Sequence, residues 1–139
     1  MSDDVHSAHI YENGESIFAV TIEVAGIEIP GDEPVAAGGG GTGPNPYDML
    51  VSALGECTAM TVRWYAKQQN WPVDKVEVNI THRKEKVEGR PRPADVFEKH
   101  VIVHGDLLTA EQRAKLLDVA KNCPVQRTLE GDPIIKTTM

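Results

Sequence analysis

No lysine or arginine occurs before Arg63. The first 62 residues hold ten carboxylates, and the remainder holds all fourteen basic residues against eleven acidic ones. The formal charge of −7 therefore divides into −10 and +3. Phosphate binding needs a concentrated basic face, so nucleic acid is not an expected partner. The imbalance is ordinary solvated charge on strands and loops, or an attraction between the two halves across a subunit contact. Long apolar runs are also missing. No window approaches the roughly 20 apolar residues of a membrane span, so no membrane association is expected. The acidic opening Met1-Ser2-Asp3-Asp4 lacks the charged-then-apolar order of a signal peptide. A cytoplasmic location is expected.

Cysteine is scarce, with two residues 66 positions apart, Cys57 and Cys123. A structural disulfide is not expected in a reducing cytosol, where a pair of thiols is either buried and inert or catalytic. Neither the cysteines nor the five histidines have zinc-site spacing. His100 and His104 fall on a strand pattern that separates them by about 13 Å. No metal and no cofactor are expected. The glycine run Gly38 to Gly41 is not followed by the Lys-Ser/Thr of a phosphate loop, so nucleotide binding is not expected either.

What is present reads as an α/β (α+β) chain of 139 residues forming one domain. Residues 5–30 are N-terminal strands. Phe18, Val20, Ile22 and Val24 alternate with Ala19, Thr21 and Glu23, Gly26 interrupts, and Ile27-Glu28-Ile29 resumes. His9-Ile10-Tyr11 followed by Asn13-Gly14 predicts an opening hairpin with a type I′ turn at Asn-Gly. Residues 30–45 are a Gly-rich crossover, flexible or close-packed. A central helix follows over 46–70, capped by Asn45 with Pro46 at its first position. Leu50, Ala53, Leu54, Cys57, Thr61 and Trp64 recur at helical spacing. Further apolar residues at Met49, Val51, Met60, Val62 and Ala66 predict a helix covered on most sides. Gly55 predicts close approach of another backbone. Residues 75–105 form a hairpin with a polar, mixed-charge end. The second helix and the Cys123 segment cover 109–130, opening on a Thr109–Gln112 capping box, with the chain turned out of helix at Cys123 by Pro124. Ile134-Ile135 predicts a last strand over 133–137.

Two segments carry a resemblance. Gly43-Pro44-Asn45-Pro46-Tyr47 with Ala53-Leu54-Gly55-Glu56-Cys57-Thr58-Ala59-Met60-Thr61, and Asn122-Cys123-Pro124-Val125-Gln126-Arg127-Thr128-Leu129, resemble the two cysteine segments of the OsmC family. The resemblance implies an intertwined homodimer whose antiparallel sheets enclose two central long helices. It also implies catalytic Cys57 and Cys123: the first reduces an organic hydroperoxide, the second closes a disulfide with it, and an external dithiol resets the pair. The well-studied peroxidases of the family place a Glu after the Asn-Pro and use an Arg from the N-terminal region. Here Tyr47 stands in the first place, Asp48 follows it, and no basic residue precedes Arg63. The chain resembles a branch that keeps the cysteines without that pair.

Cys57 lies mid-helix, beyond the reach of its own helix N-terminus, so another group must activate it. Arg127 and Arg63 are the candidate cations, and Tyr47 and Asp48 the candidate donor and acid. Each also has an ordinary structural reading, as an ion pair, helix-start packing or a first-turn dipole partner. Met49, Leu54, Met60 and Trp64 would wall Cys57 with apolar surface, which suits an alkyl hydroperoxide. The two function classes are a thiol-dependent hydroperoxide reductase and a member without peroxidase activity that binds a small apolar ligand or partner.

Overall fold

A computed structural model describes residues 5–139. It comprises two compact units, Met1–Met49 and Leu50–Met139.

In the first unit, β1 (Ala8–Glu12), β2 (Val20–Val24) and β3 (Ile27–Gly31) form an antiparallel sheet in the order β1-β2-β3. The expected alternation of Val20, Ile22 and Val24 holds, but the turn is elsewhere than predicted. Glu12 pairs with Val20, so β1 and β2 are joined by residues 13–19 and not by a two-residue turn. Gly14 alone takes positive φ there. Asn13 instead accepts from the Glu15 N–H through its side-chain oxygen and donates to Thr21 Oγ1. The two-residue turn lies between β2 and β3, where Val24 pairs with Ile27 and both Ala25 (φ 52°) and Gly26 (φ 74°) are left-handed.

The crossover is close-packed and built around one anion. Asp32, 4% exposed, accepts from Ser16 Oγ, Thr42 Oγ1 and the backbone N–H groups of Glu33, Gly40 and Thr42. Those bonds hold its carboxyl at about 2, against burial that alone would raise it. Glycine is required where the chain wraps this carboxylate, because a Cβ on Gly39 would lie 2.0 Å from the Glu33 carbonyl oxygen. Asn45 and Asp48 then cap the helix start reciprocally, each side chain accepting from the other's backbone N–H.

Helix α1 (Pro46–Gln68) ends as its sequence predicts. Asn70 is left-handed, its N–H reaches the Lys67 carbonyl, and the Trp71 N–H reaches that of Ala66. This is a Schellman ending, closed by the Trp71 ring against Tyr65, edge-on at 5.5 Å.

In the second unit β4 (Lys75–Glu85) and β5 (Ala94–His104) form the expected hairpin. Val76, Val78 and Ile80 of β4 share a face with Phe97, Lys99, Val101 and Val103 of β5. The far end of the hairpin is laced by polar pairs, the half-buried His82 and exposed Lys84 with Asp95, and Arg83 with Glu98. Helix α2 (Ala110–Ala120) starts on the predicted capping box, and α3 (Pro124–Glu130) starts on Cys123 as its extended N-cap. Val62 and Ala66 of α1, Leu116 and Ala120 of α2, and Val73 and Leu108 form the core, with Val76, Val101 and Val103 packed against it. Arg113 fastens α2 to the end of β5 through the carbonyls of Val103 and Gly105.

Within the single chain three further expectations are not met. The buried line of α1 is narrow (Leu54, Gly55, Thr58, Val62 and Ala66), and Met60 and Trp64 are each 62% exposed within the single chain. Gly55 accommodates the side chains of Ile80 and Val78 on β4, not another backbone. Residues 133–137 form no strand: they have no ladder partner, and Ile134 and Ile135 are exposed. No described helix is long and apolar enough to cross a membrane.

Candidate functional site

Four elements of the second unit bring the two cysteines together. The four-residue spacing of Leu54, Thr58, Val62 and Ala66 turns one line of α1 inward and leaves Cys57 at its margin, half-buried. Pro124 cannot follow a helical residue comfortably, so Cys123 is extended (φ −68°, ψ 149°) and its side chain is fully enclosed. Thr58 Oγ1 lies 3.5 Å from Cys123 Sγ. The Val125 N–H donates to Cys57 Sγ at 3.5 Å. It is one of the unsatisfied donors of the first turn of α3, turned onto that sulfur. Thr61 Oγ1 lies 4.0 Å from Cys57 Sγ. The two thiols are near enough to influence each other's ionisation.

The pair is electrostatically lopsided. Burial pushes the Cys57 thiol above its ordinary value, helped by the neighbouring sulfur and only partly offset by the Val125 N–H. Burial also acts to raise Cys123, but the Thr58 hydroxyl, the Gln126 N–H, the Cys57 thiol and the Lys99 charge outweigh it and hold Cys123 below its ordinary value. These surroundings favour a proton on Cys57 and negative charge on Cys123.

Neither candidate arginine hydrogen-bonds a cysteine sulfur among the described residues. Arg63 donates to the Val73 carbonyl and secures the turn after α1. Arg127 is exposed on α3. Tyr47 and Asp48 belong to the helix start, Asp48 as a cap. Of the expected apolar wall, Leu54 is buried and Met49 half-buried, while Met60 and Trp64 are exposed in the single chain. The cation of the site is Lys99, which sequence reading missed. Its Nζ donates to Thr58 Oγ1 at 2.9 Å and to the Ala120 carbonyl at 2.7 Å. Burial lowers its pKa, opposed by the charges of the two thiols and Glu130. The signal was in the strand period, which puts Lys99 on the inward face between Phe97 and Val101. Gln126 Oε1 is a buried side-chain oxygen without a hydrogen-bond partner among the described residues.

The fold matches those of solved structures. Solved structures sharing the fold include an OsmC-like protein from Mycoplasma pneumoniae, with 21% identity and a TM-score of 0.76 over 94% of this chain and 90% of that one. An organic hydroperoxide resistance protein OsmC from Legionella pneumophila has 16% identity and a TM-score of 0.70 over 94% and 93%. An organic hydroperoxide resistance protein from Elizabethkingia anophelis has 16% identity and a TM-score of 0.68, again over 94% and 93%. Likeness at these identities establishes the fold. No curated protein matches the chain. The family model for OsmC-like proteins matches residues 38–138, which include both cysteines and every residue placed around them, and the chain belongs to the OsmC-like protein family.

Proposed function

We propose that the protein is a thiol-dependent peroxidase that reduces organic hydroperoxides through Cys57 and Cys123, working as a homodimer of single 139-residue domains. The observation that carries this reading is the meeting of the two thiols where α1 and the start of α3 adjoin, with Cys57 half-buried and Cys123 enclosed. The hydroperoxide resistance proteins that share the fold support the choice of substrate.

Exposure and charge support the roles. Cys57 is the more accessible sulfur, and the surroundings push it towards the thiol and the enclosed Cys123 towards the thiolate. Proton transfer from Cys57 to Cys123 makes the accessible sulfur the nucleophile, with the enclosed one as its base. The Cys57 thiolate attacks a peroxide oxygen, and the O–O bond breaks. The leaving alkoxide takes the proton from Cys123 and departs as the alcohol, while Cys57 becomes a sulfenic acid. Cys123, again a thiolate, attacks the Cys57 sulfur, and hydroxide leaves as water after protonation by solvent. An external dithiol reduces the disulfide by exchange.

A single-turnover assay with cumene hydroperoxide tests this. Cys57→Ser consumes no peroxide above background. Cys123→Ser reduces at most one equivalent, more slowly, and stalls as the sulfenic acid or overoxidises. Each ten-fold loss of rate corresponds to about 1.4 kcal/mol of transition-state stabilisation. Peptide mapping of oxidised wild type finds the 57–123 disulfide. If wild type and Cys57→Ser consume peroxide equally, the peroxidase reading fails, and the member that binds a small apolar ligand or partner replaces it.

A further inference from the structure

We propose that Lys99, acting through the Thr58 hydroxyl, is the positioning residue that keeps the buried Cys123 sulfur anionic, and so supplies the positive charge that this chain does not take from its N-terminal region. The inference rests on the cysteine pair being the working centre, and it adds the group that poises it.

Three observations carry it. First, Lys99 occupies an inward strand position between Phe97 and Val101, where an ammonium loses hydration. Its two hydrogen-bond acceptors, Thr58 Oγ1 and the Ala120 carbonyl, are both neutral, and no carboxylate forms an ion pair with it among the described residues. A half-buried cation held only by neutral acceptors is stabilised by an anion nearby. The charged or titratable groups that act on Lys99 are Cys123, Cys57 and, from the exposed end of α3, Glu130.

Second, Thr58 is fully buried between the amine and the sulfur. Its oxygen receives the Lys99 N–H at 2.9 Å, and its single proton has two acceptors within reach, the Leu54 carbonyl at 2.8 Å and Cys123 Sγ at 3.5 Å. With Cys123 protonated, the S–H points at Thr58 Oγ1 and the hydroxyl bonds Leu54. With Cys123 ionised, rotation of the hydroxyl brings its proton onto the sulfur. A hydroxyl that accepts from an ammonium is a stronger donor, so Lys99 favours the second state.

Third, the Ala120 carbonyl fixes the amine. It lies in the last turn of α2, three residues before Cys123, so the contact that orients Lys99 belongs to the chain that leads into the cysteine.

The test reads the thiolate itself. In Cys57→Ser a single thiol remains, and its ultraviolet thiolate band is followed against pH. Adding Lys99→Met is expected to raise the midpoint by about 1 unit, a roughly ten-fold loss of thiolate at fixed pH. Lys99→Arg, which keeps the charge, restores most of it. Thr58→Val, which keeps the shape and removes the hydroxyl, also raises the midpoint, and Thr58→Ser does not. A lysine that merely ties β5 to α2 would change melting temperature and leave the band unmoved. An unchanged midpoint in both Lys99→Met and Thr58→Val overturns the proposal. A shift in Lys99→Met alone overturns the relay through Thr58. The titration uses no peroxide, so it stands or falls separately from the peroxidase reading.

Discussion

At Asp32 a single carboxylate organises the turn-rich crossover, and its charge is the reason. Five donors converge on it, and its carboxyl lies at about 2 instead of the ordinary 3.8. A carboxyl whose pKa is depressed by folding contributes stability in full above the unfolded value and loses it as pH falls through the folded one. Asp32 therefore supports the fold above about pH 4 and loses that contribution towards pH 2. Asp32→Asn keeps the shape but places an amide against N–H and O–H donors. It is expected to lower the thermal midpoint at neutral pH and to flatten the acid dependence between about pH 4 and 2, both read by circular dichroism. Equal acid sensitivity in wild type and variant would count against the assignment. Sequence named both cysteines but not Asp32 or Lys99. A thiol is rare enough to be singled out by type, whereas one aspartate among many acidic residues is distinguished only by the donors that tertiary structure turns towards it.

The elements followed the sequence wherever a local rule was strong. The Thr109 capping box, the Asn70 ending of α1 and the extended residue before Pro124 are all decided by near neighbours. The 75–105 hairpin came from period alone, because a strand with one buried face must alternate. Misses occurred where two local signals competed or a partner was lacking. Asn13-Gly14 is the stronger turn dipeptide, yet Ala25-Gly26 makes the two-residue turn, because the register from Val20↔Gly31 to Val24↔Ile27 closes there. Ala25 consequently sits at φ 52°, a conformation that costs a residue with a Cβ about 1–2 kcal/mol. Ala25→Asn places a residue that tolerates this region before Gly26. It should raise unfolding stability by about 0.5–1 kcal/mol in urea titration, with an unchanged slope. No gain would mean that Ala25 is not strained in this two-residue turn. Ile134-Ile135 has strand composition but no neighbour, and composition without a ladder does not make a strand.

At the scale of the whole molecule the surface is the evidence. Met60 and Trp64 of α1 are both 62% exposed, and Ile134 and Ile135 are more than 80% exposed. Phe18 and Tyr47 of the first unit are also open. Single exposed apolar residues need no explanation, but a tryptophan and a methionine one turn apart on the helix that carries Cys57 form a stripe. An isologous contact, in which the same stripe serves both copies, is the economical way to cover it. It would make folding depend on protein concentration, since a bound second copy stabilises only the folded state. Sedimentation at micromolar concentration is expected to give about 30 kDa, twice the 15.2 kDa chain. Trp64→Glu should shift the species to one chain mass, because burying an unpaired carboxylate in a contact costs several kcal/mol. Ala114→Glu, which changes the charge by the same single unit on the exposed face of α2, should leave the mass at two chains. A folded wild-type monomer at micromolar concentration, or a Trp64→Glu variant that sediments as wild type does, removes the α1 stripe as the contact.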